Sequence, residues 1–324
     1  MERHVTAVQK QDSAHRGGAG LGDDLVTAAP PREFWAGTVY SVKALWRYRE
    51  LLNLLVRREL KSRYKDSSLG FIWTLIRPLT QLLIYYIAVG TFLGAQRAVP
   101  NYAVFVFSGL TVWTMFNEIV QSSTSSIVNN AGLVKKVYIP RELFPLAATG
   151  SALVNFGIQL GILIIAIFAT AGPPFFGPQL WAVPVAFVAL LFFSFAIGLL
   201  LAAVNVYLRD MKHLIEVGML VLFWASPIVY PFTAVHTALK GNWLEQIYLW
   251  NPVTVAVLTF QHGLWRAGSH PFVTGTGAAK VTHITYWPPD LDLRLIVVLV
   301  VSAALVWVAQ RVFARLEGNF AQEL

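Results

Sequence analysis

The residues with the clearest chemical potential are basic side chains just before and inside a long apolar segment. They are Arg57, Arg58, Lys61, Arg63, Lys65 and Arg77. A diphosphate at the level of lipid headgroups needs several such donors, ideally with one arginine that offers bidentate geometry. Electrostatic anchoring at a membrane surface is the alternative for most of them. Arg77 is interpreted as a substrate or gating residue, because a charge inside an apolar segment must line water or find a partner.

A carboxylate occurs inside a second apolar segment. Glu118 follows Asn117 and precedes a polar run from Gln121 to Ser126. An ionisable group within a membrane is costly unless it is paired, which favours a functional interpretation. The polar run also favours hydrogen bonds between helices, so structural pairing and pathway lining both remain open. The sequence does not indicate a proton relay, since Glu216, at a segment boundary, is the only other acidic residue of this kind.

Aromatic side chains are dense in the apolar segments. Tyr85, Trp113, Phe116, Trp224 and Tyr230 are candidates for lining a path through them. Aromatic faces stack well on the apolar faces of sugar rings, and such a surface would let a glycan slide without strong binding sites. Taken singly, each residue is more typical of packing or of the aromatic belt of a membrane protein.

The connection from residue 129 to residue 142 combines apolar residues with charges, as a helix that docks on a partner does. Its candidate contact residues are Val134, Lys135, Lys136, Tyr138, Pro140, Arg141 and Glu142. A solvated, positively charged loop is the alternative.

The composition is typical of a membrane protein. Of the 324 residues, 56% are hydrophobic and 13% are charged, whereas about 25% of the residues of a soluble domain are charged. The net charge of +8 is assigned to anionic lipids rather than nucleic acid, because the basic residues adjoin apolar segments. The chain has no cysteine, its histidines lack metal-ligand spacing, and no G-x-x-x-x-G-K-[ST] motif is present. We therefore expect no metal site and no cofactor in the chain itself.

The apolar segments predict an all-α integral membrane protein with six transmembrane helices. The predicted spans are 69–93, 102–127, 145–171, 180–208, 214–235 and 293–313, and the fifth is predicted to be kinked at Pro227 and Pro231. Residues 1–41 are polar and predict a disordered tail, and residues 42–324 form one membrane domain. Residues 42–62 predict an amphipathic helix that lies along the interface. A soluble helix packed on another domain is the alternative.

The segment between the last two predicted spans, residues 236–291, is apolar for a loop. Its stretch Val253–Phe260 is too short to cross a bilayer, so re-entrant or interfacial helices are predicted. Most of the 25 lysines and arginines fall on one side of the six-span arrangement, together with both ends of the chain. This excess of positive charge predicts that both termini are cytoplasmic.

Two motifs carry a resemblance to a known family. One is Arg63-Tyr64-Lys65-Asp66-Ser67-Ser68-Leu69-Gly70, followed by Trp73 and Pro78. The other is Asn130-Ala131-Gly132-Leu133-Val134-Lys135-Lys136-Val137-Tyr138-Ile139-Pro140-Arg141-Glu142. With these motifs the chain resembles the permease subunit of type-2 ABC exporters of cell-envelope polysaccharides, O-antigen and teichoic acids.

The resemblance implies ATP-driven export of a lipid-linked (polyprenyl-diphosphate) polysaccharide or teichoic-acid-type polymer across the cytoplasmic membrane of a bacterium. It implies a homodimer with two copies of a separate ABC ATPase, which would bind ATP and magnesium, so this chain would not be an enzyme. Arg63, Lys65 and Arg77 would contact the diphosphate, and Leu69 and Gly70 would form the loop of a lateral lipid entrance. The five aromatic candidates would line the channel. The candidates from Val134 to Glu142 would form the coupling helix, seated in a groove of the ATPase.

Three other classes compete with this interpretation. A drug or lipid half-exporter of the same superfamily would share the spans and the coupling loop, but not the basic arm before the first span. A membrane transferase that acts on polyprenol carriers would cluster acidic residues around a metal and a diphosphate. Here Asp23 and Asp24 lie in the tail, and Asp290 and Asp292 lie outside the spans. A secondary transporter would show internal repeats and buried ionisable residues along its pathway.

Overall fold

The computed structural model describes residues 46–64, 72–137, 139–170, 178–269, 272–274 and 281–324. The predicted tail, 1–41, and the beginning of the predicted interface helix lie outside these residues. The described part of the chain is mainly helical, which confirms the predicted helical fold class.

The helices vary from single turns to membrane length. In chain order they are α1 (Arg49–Tyr64), α2 (Trp73–Tyr85), α3 (Ala95–Ala98), α4 (Tyr102–Asn129), α5 (Ala131–Lys136), α6 (Leu143–Thr170), α7 (Pro178–Tyr207), α8 (Met211–Trp224), α9 (Phe232–Leu239), α10 (Trp243–Trp250), α11 (Pro252–Leu264), α12 (Leu291–Leu316) and α13 (Phe320–Glu323). A π-helical segment, Tyr86–Phe92, continues α2, and 3-10 turns at Arg266–Ser269 and Glu317–Asn319 follow α11 and α12. Two short strands, β1 (Phe272–Thr274) and β2 (Val281–His283), pair antiparallel with Val273 opposite Thr282.

Five helical segments of the described residues are long and apolar enough to cross a membrane. They are Trp73–Phe92, Tyr102–Asn129, Leu143–Thr170, Gln179–Tyr207 and Leu291–Asn319. They correspond to predicted spans one to four and six. A helix is suited to this position because all its backbone hydrogen bonds are made within the segment.

The predicted fifth span, 214–235, differs from the prediction because it is not one continuous helix. α8 ends at Trp224 after 14 residues, about 21 Å at 1.5 Å per residue, and α9 begins at Phe232. Pro227 and Pro231 lie in the interruption, where each removes a backbone donor and disfavours the helical turn before it. By helix length, the described residues therefore contain five candidate spans.

Side chains from two neighbouring helices hold this interruption, residues 225–231. Tyr102 of α4 donates to the carbonyl of Val229 at 2.6 Å, and Gln261 Nε2 of α11 donates to the carbonyl of Pro227 at 2.9 Å. Ile228 between them is fully buried. Non-helical backbone at membrane depth is tolerated where it is buried in protein and its polar groups are satisfied, and the carbonyls of Pro227 and Val229 meet both conditions.

The core of the molecule lies around α4 and α7. α7 packs against α4, α11 and α12, and α4 also packs against α6. The helices approach closely at Gly198 of α7, where an added Cβ would lie 2.8 Å from the Cβ of Ser123 on α4. Small residues at such contacts let membrane helices pack tightly. α4 is largely buried by its neighbours, whereas most of the α2 span is exposed.

The segment between α8 and α12 folds into short helices. α11 is almost completely buried and packs against α7 and α4. At its end, Trp265 donates to the carbonyl of Pro100 at 2.7 Å, and an added Cβ on Gly263 would lie 2.9 Å from the carbonyl oxygen of Gln179. Short helices were expected here, and their re-entrant position in a bilayer stays a prediction.

α1 overlaps the segment of the predicted interface helix and packs across the first two turns of α6. Leu55 is buried in a cluster with Leu143, and Val56 lies over Gly150, where an added Cβ would be 2.7 Å from its Cγ2 atom. Leu54, on the other side, is exposed. α1 is thus docked on the membrane domain of its own chain, and its contact with lipid headgroups stays a prediction.

Candidate functional site

A polar cavity of about 760 Å³ lies among α1, α2, α4 and α6. Its lining residues are polar apart from Trp73 and Pro78. They include Glu59 of α1, Arg77 of α2, Asn117, Glu118 and Gln121 of α4, and Asn155 and Gln159 of α6. Polar and ionisable groups inside an apolar helical domain mark places that take up a polar ligand or water.

Glu118 is held in this cavity by an amide of the neighbouring helix. Asn155 Nδ2 donates to Glu118 Oε1 at 2.6 Å, and within α4 Gln121 Nε2 donates to Asn117 Oδ1 at 2.8 Å. The two interpretations that the sequence left open are therefore compatible. Glu118 pairs with a side chain of α6 and also lines the cavity.

Among the predicted diphosphate contacts, the structure describes the side chain of Arg77. It is exposed and lines the cavity. Lys65, Leu69 and Gly70 lie outside the described residues, as does the side chain of Arg63. The headgroup and lipid-gate roles of these residues stay predictions.

Another basic residue of the cluster joins two helices. Arg58 Nη2 donates to Asn130 Oδ1, at the end of α4, and Asn130 Nδ2 donates to the carbonyl of Ser126 at 2.7 Å. Arg58 therefore positions α1 against α4 in this conformation.

A second, smaller cavity of about 180 Å³ lies between α4 and α8. Gln121, Ser122 and Ser125 line both cavities, and Lys212 and Ile215 of α8 face them in the smaller one. The polar run of α4 therefore borders two openings near the same end of the helix.

Four of the five aromatic candidates form one cluster around Phe223. The ring centre of Phe223 lies 5.6 Å from that of Tyr85, 5.4 Å from that of Trp113 and 5.5 Å from that of Trp224. Phe116 joins through Trp113, at 5.8 Å. Aromatic pairs at these separations pack favourably, so the cluster connects α2, α4 and α8.

The members of this cluster differ in exposure. Trp113 and Phe116 are buried by helices of this chain, whereas Trp224 is about half exposed. The fifth candidate, Tyr230, lies in the interruption after α8 and donates to the carbonyl of Trp224 at 2.5 Å. Channel lining stays a prediction for all five, and Trp224 is the one with the most accessible ring.

The predicted coupling residues occupy α5 and the turn before α6. Val134 is buried in an apolar cluster with Phe144, while Lys135 and Lys136 are exposed. Pro140 is half-buried, and Tyr138 lies outside the described residues. One side of the loop is thus fixed by apolar contacts and the other presents two lysines, which suits a docking surface.

The carboxyl-terminal part of the chain packs against this loop. The guanidinium carbon of Arg141 lies 5.7 Å from the ring centre of Phe320, and Phe320 is fully buried. Gln310 Nε2 of α12 donates to Glu142 Oε1 at 3.0 Å. These contacts connect the predicted coupling loop to the last span through Gln310 and to α13 through Phe320.

Glu142 is only 7% exposed. Burial raises the pKa of its carboxyl group, while the hydrogen bond from Gln310 and the positive charge of Arg311 act in the opposite direction. Because a buried charge costs free energy unless it is hydrogen-bonded and paired, these two α12 residues offset part of that cost.

The histidines that the structure describes make local contacts. His236 Nδ1 lies 2.5 Å from Glu245 Oε1, and the ring of His262 stacks on that of Trp287 at 4.5 Å. Within the described ranges, no group of three or more His, Asp or Glu side chains is placed to hold a metal ion.

Sequence reasoning missed four residues of these sites. Asn155 and Gln159 are spaced by four, which puts both amides on one face of a helix, and that spacing could have revealed them. Gln310 lies 168 positions from its partner Glu142. For such a contact, and for that of Phe320 with Arg141, no local pattern gives a signal.

Comparison with known proteins places this arrangement in a family. Residues 50–265 match the family model described as ABC-2 type transporter, which covers more than half of the chain. The chain belongs to the ABC-2 type transporter family. The matched region of this ABC-2 transporter contains the polar cavity, the aromatic cluster and the predicted coupling loop, whereas α12 and Phe320 lie beyond it.

Relatives of this ABC-2 transporter carry names from glycan export. The chain is 28% identical over 283 residues to the O-antigen export system permease protein RfbA of Myxococcus xanthus, covering 87% of this chain and 98% of the relative. It is 27% identical over 212 residues to the protein of the same name from Klebsiella pneumoniae, covering 65% and 79%. It is 25% identical over 204 residues to the polysialic acid transport protein KpsM of Escherichia coli, covering 63% and 76%.

Proposed function

We propose that this chain is the membrane permease subunit of an ATP-driven exporter in the cytoplasmic membrane of a bacterium. Its cargo is a polysaccharide or teichoic-acid-type polymer linked to a polyprenyl diphosphate. The chain performs no catalysis, and a separate ABC ATPase binds ATP and Mg²⁺. The observation that carries the proposal is the similarity along 98% of the length of an O-antigen export permease.

The proposed topology has six spans with both termini in the cytoplasm. α8, the interruption 225–231 and α9 together make the fifth crossing. Support comes from the buried interruption, whose carbonyls receive hydrogen bonds from Tyr102 and Gln261, as non-helical backbone at membrane depth requires. The distribution of lysine and arginine supports the orientation.

Two copies of the chain and two ATPase subunits form the proposed exporter. A membrane domain without its own ATP-binding motif is a half-transporter, and α2 and α8 present apolar faces that include the exposed Leu83, Ile84, Leu220 and Val221. A second copy that covers these faces would bring the aromatic cluster around Phe223 to the interface. The glycan path would then run between the two copies.

The ATPase acts on this chain at the loop between α4 and α6. Lys135 and Lys136 dock on the ATPase, while Glu142 and Arg141 pass its movement to α12 through Gln310 and Phe320. ATP binding and hydrolysis would then rock the two halves and open the path. Arg77, at the polar cavity, contacts the diphosphate of the lipid carrier.

The test is reconstitution of the purified chain with its ATPase in proteoliposomes that contain a polyprenyl-diphosphate-linked glycan. The expected result is ATP-dependent movement of the glycan to the face opposite the ATPase, where an added glycosidase no longer reaches it. The proposal is wrong if the glycan stays accessible with both subunits and ATP present, or if this chain moves it without the ATPase.

A further inference from the structure

Two side-chain oxygens in the polar cavity are buried without a hydrogen-bond partner. Asn155 and Gln159 are each 4% exposed, and both line the cavity. Among the residues that the structure describes, neither Asn155 Oδ1 nor Gln159 Oε1 receives a hydrogen bond. Buried polar groups in native proteins are normally satisfied, so each oxygen lacks a donor, and a ligand in the cavity could supply one once the amide turns towards it.

The orientation of the Asn155 amide follows from its partner. Its Nδ2 atom donates to Glu118 Oε1 at 2.6 Å. The amide nitrogen therefore faces Glu118, and the amide oxygen faces elsewhere. Beside Glu118, the cavity lining thus contains two amides whose oxygens are unpaired acceptors.

The spacing of these acceptors restricts the ligand. Asn155 and Gln159 are one helical turn apart, about 6 Å along the α6 axis. A single ammonium group would satisfy one of them, whereas a ring that carries several hydroxyl or amide donors can reach both. The cavity volume of about 760 Å³ falls in the usual range for small-molecule sites, about 300–1,000 Å³.

The cavity residues on α2 suit the other parts of such a ligand. Arg77 of α2 lines the cavity and offers the donor geometry that phosphate groups prefer. Trp73, one turn before it, also lines the cavity and is 44% exposed, and indole faces stack on the apolar face of a sugar ring. The same cavity is thus lined by amide acceptors on α6 and by a cation and an aromatic ring on α2.

We propose that this cavity binds the first sugar of the lipid-linked cargo, with its donors on Asn155 and Gln159 and its diphosphate towards Arg77. The inference rests on the proposed function and goes further, because it assigns a sugar-recognition site on α6, away from the path between the two copies. It makes the permease select a glycosylated carrier over the bare carrier before transport begins.

The experiment measures lipid binding to the full-length chain in phosphatidylcholine nanodiscs by native mass spectrometry. The probes are undecaprenyl diphosphate carrying one N-acetylhexosamine, undecaprenyl diphosphate alone, and phosphatidylethanolamine. The expected result is about tenfold tighter binding of the glycosylated probe than of the bare diphosphate, the scale of two net hydrogen bonds. Asn155→Leu and Gln159→Leu should each remove most of this preference.

A matched control lies on α7. Asn205 is also buried, donates to the carbonyl of Thr124 at 3.0 Å, and has an amide oxygen without a partner among the described residues, but it does not line the cavity. Asn205→Leu should keep the tenfold preference. Loss of the preference in this variant as well would overturn the proposal, because the effect would then belong to packing.

The wild-type chain alone can also refute the inference. Equal binding of the glycosylated and bare diphosphates overturns it, as does displacement of the glycosylated probe by an equal amount of phosphatidylethanolamine, which would make the cavity a site for ordinary lipid headgroups. Glycan translocation without a sugar-dependent preference would remove the inference and leave the proposed export function standing. A sugar-dependent preference in binding without glycan translocation would support the sugar site and refute the proposed export function.

Discussion

At the scale of single residues, the structure adds partners to side chains that the sequence marked only by type. Glu118 stood out because a charge inside an apolar segment is unusual, whereas its partner Asn155 is marked in the sequence only by its spacing of four from Gln159. Arg141 and Glu142 stood out through their motif. Their contacts, Phe320 and Gln310, come from the other end of the chain, and only the tertiary fold brings them together.

The raised pKa of Glu142 gives a testable dependence of stability on pH. A carboxyl whose folded pKa lies above the ordinary value of 4.5 stabilises the fold fully below that value and loses this contribution as pH rises through the folded pKa. Glu142→Gln keeps an acceptor for Gln310 but carries no charge. We expect it to raise the midpoint of thermal unfolding at pH 7 to 8, with the gain shrinking towards pH 4.5.

Tryptophan fluorescence of the detergent-solubilised chain can follow this unfolding across pH. The exposed carboxylate of Glu50 provides the control, and Glu50→Gln should leave the midpoint unchanged at each pH. A Glu142→Gln variant less stable than the wild-type chain at pH 8 would show that the ionised carboxylate, with Gln310 and Arg311, is net stabilising, contrary to the effect of burial.

At the scale of secondary structure, uninterrupted apolar segments were predicted well and the broken one was not. Five predicted spans correspond to membrane-length helices because their backbone hydrogen bonds are local. Pro227 and Pro231 predicted a kink between α8 and α9, but a full interruption requires distant donors, Tyr102 and Gln261, that no local pattern reveals. The same limit applies to α11, whose burial depends on contacts with α4 and α7.

The packing of α11 on α7 can be tested at Gly263. An added Cβ there would lie 2.9 Å from the backbone carbonyl of Gln179, so Gly263→Ala forces the two helices apart. We expect destabilisation by about 1–3 kcal/mol, the usual cost of overpacking, seen as a lower unfolding midpoint. Gly161→Ala on α6, where an added Cβ meets nothing within 4 Å, is the matched control, and equal effects of the two variants would contradict the α11–α7 contact.

At the scale of the whole molecule, the apolar faces of α2 and α8 are exposed in the single chain. The sequence predicted a second copy of the chain from the resemblance and from the missing ATP-binding motif. Trp113 and Phe116 are buried within their own chain, whereas the proposed path runs between two copies.

Single cysteines can test the proposed dimer, since the chain has none of its own. Val221 on α8 is 64% exposed and Ile165 on α6 is 70% exposed. We expect Val221→Cys to form a dimer in membranes with a short bismaleimide, because α8 lies at the interface, and Ile165→Cys to stay monomeric. Cross-linking of Ile165→Cys alone would place the interface on α6 instead.

The most direct test of the central claim is ATP hydrolysis and glycan translocation in proteoliposomes of the complete exporter, measured with reversed charges on α5. Lys135→Glu with Lys136→Glu should reduce ATP-dependent translocation by about tenfold or more, since like charges placed in an interface are strongly unfavourable. Lys240→Glu, an exposed reversal after α9 on the predicted outer side, should behave as the wild-type chain. Translocation that survives the α5 reversals in full would contradict the account, because the ATPase would then act elsewhere on this subunit.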